Sequence, residues 1–272
     1  MSTLDSTAET PSRLGERVRY WVPAIAVFAL GLAAWQWFLP DVLGVEDFLL
    51  PRFSDVVRAL IEERDLLLRG AWITLKEAVG GFVLGSGTAI IAALVLARWR
   101  PFGNALMPYM IAANAVPIIA FAPITNAWFG LLSPWSKVTI AAVLCFFPVL
   151  VNTLRGLTSV DPELIELMRS YAAPEREVFR RVRIPSSLPY VFSALKVASV
   201  LAMIGAVVGD YFGGSLEALG IVVLSAVNLS RYATSWAAIL VASIMGIAFY
   251  ATIAGIERYA LSWHPSVKRR GS

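Results

Sequence analysis

The chain is 272 residues long, with 58% hydrophobic and 15% charged positions, against roughly a quarter charged in an ordinary soluble domain. That balance excludes a typical water-soluble globule and makes the bilayer the expected solvent. The net charge of +4, from 23 Lys and Arg against 19 Asp and Glu, is too mild for a nucleic-acid footprint, and one cysteine with one histidine excludes an internal disulfide and a structural zinc site.

In chain order, residues 1–19 form a polar tail carrying Arg13, Arg17 and Arg19, followed by an apolar run over 20–39. The run is long enough to span and has no small-residue cleavage site leading into a soluble domain, so it reads as an uncleaved first helix and not as a secretory signal. Further runs lie at about 71–97, 104–131, 138–157, 188–209 and 235–257. Six spans of about 20 residues use about 120 positions and leave enough chain for connections. The expected fold is all-α, a multi-pass membrane protein with six transmembrane helices. Its expected parts are the tail 1–19, the first span with an external loop over 20–69, a core over 70–262 and a tail over 263–272.

Short cytoplasmic loops carry the Lys/Arg excess. Arg98 and Arg100 follow the second run, while Arg258, Lys268, Arg269 and Arg270 follow the sixth. Residues 40–70 instead hold Asp41, Glu46, Asp47, Asp55, Glu62, Glu63 and Asp65 against four arginines. Both termini are therefore expected in the cytoplasm, which agrees with an even span count.

The longest inward-facing connection, 158–187, is charged and contains Pro162, Pro174 and Pro185, yet it keeps helical periodicity. Asp161 is suited to an N-cap and Pro162 to the first helical position, where its missing N–H costs nothing. Leu164, Ile165, Leu167, Met168 and Tyr171 recur at helical spacing beside Glu163, Glu166 and Arg169. Pro174 can begin a second helix, in which Val178, Phe179 and Val182 stand among Arg176, Arg180, Arg181 and Arg183. Two short amphipathic helices are expected. They would either lie on anionic lipid with their arginines snorkelling or dock a cytoplasmic protein, and the interleaved Asp161, Glu163, Glu166, Glu175 and Glu177 suit a protein groove better than a lipid surface.

No G-x-x-x-x-G-K-[ST] loop occurs, so nothing cradles a nucleotide phosphate. Neither a Ser-His-Asp set nor a metal cluster nor a carboxylate pair on one intramembrane face is evident, and His264 beside Pro265 reads as an interfacial residue. An ion-coupled carrier keeps carboxylates near the midplane. Here Lys76 and Glu77 are adjacent, share no face, and are expected to reach separately towards the outer interface; Asp210 is expected at the outer end of the fifth span, and Lys196 lies inside that span without an evident carboxylate partner or snorkels inward. Asn114 and Asn126 flank Pro117 and Pro123 in the third run, where two prolines free backbone carbonyls and favour a kinked helix lining a pathway. Asn152 joins them as a polar candidate, although each Asn could instead bond a neighbouring helix. The pairs Gly81/Gly85 and Gly205/Gly209 favour close helix packing within one subunit.

Glu166-Leu167-Met168-Arg169-Ser170-Tyr171-Ala172-Ala173, followed by Val178-Phe179-Arg180-Arg181-Val182-Arg183-Ile184-Pro185, resembles the EAA loop of binding-protein-dependent ABC transporter permeases of the nitrate, sulfonate and taurine branch. The loop pattern is Glu-Ala-Ala, three residues, Gly, about nine residues, then an aliphatic residue, any residue and Leu-Pro. Leu167 and Met168 replace the alanines and Ala172 replaces the glycine. Leu50-Pro51, Trp128-Phe129-Gly130, Phe146-Phe147-Pro148 with Asn152, and the stretch from Gly205 to Gly214 extend the resemblance to about 50–263.

This resemblance implies a cytoplasmic coupling-helix hairpin between spans four and five, with Glu163, Glu166, Leu167, Met168, Arg169, Ala172 and Ala173 meeting the ATPase. It implies a permease that is not an enzyme and binds no cofactor, ATP and Mg being used by two cytoplasmic ABC ATPase subunits. A second permease subunit, in a homodimer or pseudo-dimer, and an extracytoplasmic solute-binding protein complete the implied assembly in a prokaryotic plasma membrane. The branch covers nitrate, alkylsulfonates, taurine, thiamine-precursor pyrimidines and riboflavin. The stretch from Pro117 to Pro123 and the ending Trp263-His264-Pro265-Ser266 are closer to the vitamin-type members. The rival expectation, an ATP-independent carrier or channel, would move solute without any partner.

Overall fold

The computed structural model describes residues 13–38 and 50–262. Its helices are α1 (Arg13–Ala33, extended by a π-turn Ala34–Phe38), α2 (Phe53–Glu62), α3 (Arg64–Arg98), α4 (Arg100–Ala113), α5 (Phe121–Phe129), α6 (Pro134–Thr158), α7 (Pro162–Ser170), α8 (Glu175–Val178), α9 (Ile184–Tyr211), α10 (Leu219–Asn228) and α11 (Tyr232–Ala260). The start of the polar tail, part of the first connection and the tail 263–272 with His264 lie outside the described residues.

Among the described residues, four helices are long and apolar enough to cross a membrane: α3, α6, the continuous segment Glu175–Tyr211, and α11. They correspond to the second, fourth, fifth and sixth apolar runs. The first run yields a shorter apolar helix, Val22–Trp37. The third run is not one helix. α4 stops at Ala113, the chain turns through Asn114 to Pro117, makes a single 3₁₀ turn at Ile118–Ala120 and resumes as α5. Pro117 supplies the reason: it cannot donate to the helical ladder, and it pushes the residue before it out of the α region.

α6 is the axis of the bundle, running parallel to α3 and antiparallel to α9. Both contacts are made where glycine lets backbones approach. Gly81 and Gly85 of α3 lie directly on Ala141 and Ala142 of α6. From the other side, a Cβ at Gly205 of α9 would stand 2.8 Å from the Ala141 Cα. Each small-residue pair thus serves packing inside one chain. The seam is filled by Ala78, Ala89, Ala93, Ala141, Cys145, Val149, Ala194, Ala198, Ala202 and Ala206, all buried. Small side chains suit this solvent, because lipid gives apolar surface little reason to leave it and association rests on close packing.

α11 packs antiparallel to α9 and reaches α3 through an edge-on Phe82–Phe249 contact, with ring centroids 5.0 Å apart. α2 and α10 close one end of the bundle. There Trp35 sits between Phe53 and Trp236, at centroid distances of 5.5 and 5.3 Å, and its Nε1 donates to the Pro51 carbonyl at 3.1 Å. α7 projects from the opposite end.

Candidate functional site

The end that carries α7 is shaped by its caps. Asp161 is the N-cap, its carboxylate accepting from the Glu163 N–H at 3.0 Å, and Pro162 fills the first turn. At the C-terminus Ala173 N–H donates to the Met168 carbonyl at 3.1 Å and Ala172 N–H to that of Arg169 at 2.9 Å, the paired bonds of a Schellman motif. Ala172 takes the left-handed φ of +50° that this motif requires. It occupies the place of the loop pattern's glycine, so the backbone geometry is kept while alanine carries the strain.

No residue of α7 is buried. Glu163, Glu166, Leu167, Arg169 and Ala172 are exposed, with Met168 and Ala173 half-buried. Leu164, Leu167 and Tyr171, on one face, are 45%, 53% and 78% exposed. The coupling residues expected from sequence are therefore gathered on one short helix and its cap.

The second half of this connection departs from the expected pair of short helices. α8 begins at Glu175 after Pro174, as the sequence indicates, but does not end. A π-turn, Phe179–Arg183, joins it to α9, with Ile184 N–H donating to the Phe179 carbonyl. Pro185 lacks the N–H that the next turn needs, and the widened ladder absorbs the defect. Val178 is buried, Phe179 packs on the core, and the buried Arg183 donates to Glu175 at 2.9 Å. α7 stands free, while its companion is the root of the long segment Glu175–Tyr211.

At the opposite end α3, α6, α9 and α10 converge on a buried polar cluster that was not anticipated. Thr74 Oγ1 donates to Asp210 at 2.7 Å and accepts from the Leu219 N–H at 3.1 Å. Glu77 interacts with Asp210, and Lys137 lies within electrostatic reach of both. Lys137 and Asp210 are fully enclosed. The Lys137 ammonium donates to the carbonyls of Leu131 at 2.5 Å and Ser133 at 3.3 Å. Gly220 lets α10 lie on this group, since a Cβ there would come within 2.5 Å of the Asp210 Cβ.

Two expectations are thereby corrected. Glu77 does not reach separately outward, because it shares a helix face with Thr74, Ala78, Gly81 and Gly85 and so turns inward with them; Lys76 faces away, its ammonium 5.8 Å from the Trp72 ring centroid. Two carboxylates, Glu77 and Asp210, therefore do meet between helices. Lys196 also has a carboxylate partner, Glu257 of α11, at 2.6 Å.

The polar residues expected along a pathway are spread over different levels. Asn126 donates to the Phe212 carbonyl at 3.0 Å and accepts from Ser136 at 2.5 Å. Asn114 caps the broken end of α4 by donating to Met110 at 3.2 Å, and Pro117 is exposed in the break. Asn152 bonds back to the Pro148 carbonyl at 2.8 Å, about 24 Å along α6 from Ser136 at 1.5 Å per residue. Cavities of about 200 Å³ between α3 and α6, touching Thr88, Trp135 and Thr139, and about 440 Å³ between α9 and α11 open from the bundle. Among the described residues no three His, Cys, Asp or Glu side chains converge on a metal position.

Residues 85–260, which include the free helix, its cap and the helices carrying both cavities, match the family described as binding-protein-dependent transport system inner membrane component. The chain belongs to that family. This permease is 33% identical over 219 residues to the formylaminopyrimidine transport permease protein ThiX of Halalkalibacterium halodurans, covering 80% of this chain and 87% of the relative. It is 31% identical over 269 residues to the riboflavin transport system permease protein RibX of Chloroflexus aurantiacus, covering 97% and 99%. A putative aliphatic sulfonates transport permease protein, SsuC of Bacillus subtilis, is 26% identical over 271 residues, covering 96% and 95%. In fold the permease is similar to a chain in the crystal structure of an amino acid ABC transporter with histidines, with a TM-score of 0.60 and 18% identity over 74% of this chain and 96% of that one. It is thus an ABC transport permease of the binding-protein-dependent class, a class that in general works with ATPase and binding-protein partners.

Proposed function

We propose that this permease is the translocating subunit of an ATP-driven importer in a prokaryotic plasma membrane, and that α7 is the element seated in a groove of a cytoplasmic ABC ATPase. One observation carries this reading: α7 is capped at both ends, yet none of its residues is buried, and Leu164 and Leu167, with Tyr171 at its cap, stand exposed on one face. A nine-residue helix is marginal by propensity alone, and a helix-in-groove complex would cover Leu164, Leu167 and Tyr171 while Glu163, Glu166 and Arg169 set its register. Arginines around α7 and at the ends of α3 and α11 favour this end as the cytoplasmic one. Two permease copies, two ATPases and an extracytoplasmic binding protein form the complex, in which ATP and Mg stay with the ATPases and the permease changes no substrate bond.

The solute is a small vitamin-type heterocycle, either a thiamine-precursor pyrimidine or a flavin. The relatives named for such compounds are more similar to this chain than the one named for sulfonates. The broken α4–α5 segment with Asn114, Pro117 and Asn126, joined by Asn152 on α6, lines its route.

The test is Glu166→Lys. Membrane insertion should persist while the ATPase no longer co-purifies and uptake stops; unchanged uptake with unchanged ATPase stimulation refutes the assignment. For the solute, a binding protein that stimulates uptake by this permease is titrated calorimetrically with pyrimidines, flavins and alkylsulfonates. Binding of a sulfonate alone would overturn the vitamin assignment.

A further inference from the structure

Lys196 and Glu257 form an ion pair at 2.6 Å whose side chains are only 13% and 19% exposed. Lys196 stands twelve positions into α9 from Ile184, about 18 Å along the axis, and Glu257 lies in the last turn of α11. Charges this enclosed within membrane helices are costly and are kept mainly where they serve function. Stability alone does not call for the pair, since well-packed apolar residues of similar size often hold helices equally well.

Its position in the bundle is informative. α9 is continuous through the π-turn and α8 with the connection that carries α7, so a push on that connection enters α9 directly. α11 has no such link. Beyond the pair the outer side of the α9–α11 seam opens into the cavity of about 440 Å³ lined by Val200, Met203, Val207, Ser243, Gly246 and Tyr250. Side chains that line an open groove interdigitate less across it, and helix registers are set by interdigitated side chains. The Lys196–Glu257 pair lies below that cavity, on the side of α7, and adds a directional tie between the two helices.

We infer that this ion pair is the joint through which movement of α9 is passed to α11, and that it stays closed throughout the transport cycle. The inference rests on the proposed docking of an ATPase at α7. Lys196 and Glu257 are positioning residues: they touch neither solute nor nucleotide, and they make α11 follow α9.

The experiment uses the full complex of permease, ATPase and binding protein in proteoliposomes, measuring ATP hydrolysis and uptake in parallel. Lys196→Met and Glu257→Gln should each retain the ATPase and its hydrolysis, while solute imported per ATP falls severalfold. The exchanged variant, Lys196→Glu with Glu257→Lys, should recover the coupling ratio. In a Cys145→Ala background, Lys196→Cys with Glu257→Cys should show the same loss of coupling, and joining the two by a short bis-methanethiosulfonate should restore solute imported per ATP towards that of the unaltered permease. Single variants with the normal coupling ratio overturn the inference, as does an exchanged variant no better than the singles. A cross-link that stops uptake until it is reduced also overturns it. Failure of the docking reading is separately visible, because the unaltered permease would then retain no ATPase.

Discussion

Ala172→Gly isolates the cost of a single backbone angle. Ala172 sits at a φ of +50° in the Schellman cap of α7. A left-handed non-glycine residue costs roughly 1–2 kcal/mol. Glycine removes that cost but returns about 0.5–1 kcal/mol through the greater freedom of the open chain. The two terms leave about 1 kcal/mol in favour of glycine, which is close to a fivefold smaller opening constant for the cap, since 1.4 kcal/mol is tenfold. Because no residue of α7 is buried, tertiary packing has little part in this balance, and the change should be local. Amide hydrogen exchange of the detergent-solubilised permease reads it directly: the amides of Tyr171, Ala172 and Ala173, bonded to carbonyls of the last turn, should exchange about fivefold more slowly in the variant, while those of α6 and α9 stay unchanged. Equal or faster exchange at the cap would refute the reasoning, because it would mean that the left-handed angle is not strained or that the cap does not limit opening.

Asp161→Ala removes the N-cap bond to Glu163 and should cost the same helix about 1 kcal/mol, read as faster proteolytic nicking between α6 and α8. Gly85→Leu forces a side chain onto the Ala142 backbone and should destabilise the bundle by at least about 1–3 kcal/mol; an unaltered melting profile in detergent would show that α3 does not lie so close to α6. Lys137→Met removes the cation from the Glu77–Asp210 cluster and should cost about 3–5 kcal/mol, lowering the melting temperature by clearly more than Asp161→Ala does. Tyr171→Cys, in a Cys145→Ala background and in vesicles that carry the permease without its ATPase, should react with an impermeant maleimide when the vesicles are inside-out and not when they are right-side-out; the reverse pattern would invert the proposed orientation.

What the sequence made legible was whatever is local. Runs of apolar residues, the Asp161-Pro162 start of α7 and the helix start at Pro174 each follow from the residues at that point, whereas the kink expected near Pro117 is a full break. What it hid was pairing. Adjacency to Lys76 suggests that Glu77 reaches outward on its own, although its face is shared with Thr74, Gly81 and Gly85; the small-residue stripe, taken as the packed face, turns Glu77 inward. Lys137 escaped because it stands one position before the fourth apolar run, where a boundary cut at the first hydrophobic residue discards it. Lys196 and Glu257 lie on different helices, and no periodicity within either helix announces the other. The π-turn was equally hidden, since Pro185 reads as a stop until α9 is seen to carry α8 as its own first turns. Ala172 shows the opposite case, a pattern residue lost while the backbone shape survives.

The continuity of Glu175–Tyr211 has a mechanical consequence. Thirty-seven residues at 1.5 Å each make a rod of about 55 Å, whereas the hydrocarbon layer is about 30 Å thick. Inserted upright, it projects some 25 Å beyond the acyl chains. A tilt of about 5° about one tip would swing the other by nearly 5 Å, roughly one helical turn. Levers of this length convert small rotations at a protein surface into displacements large enough to open or shut a solute-sized gap.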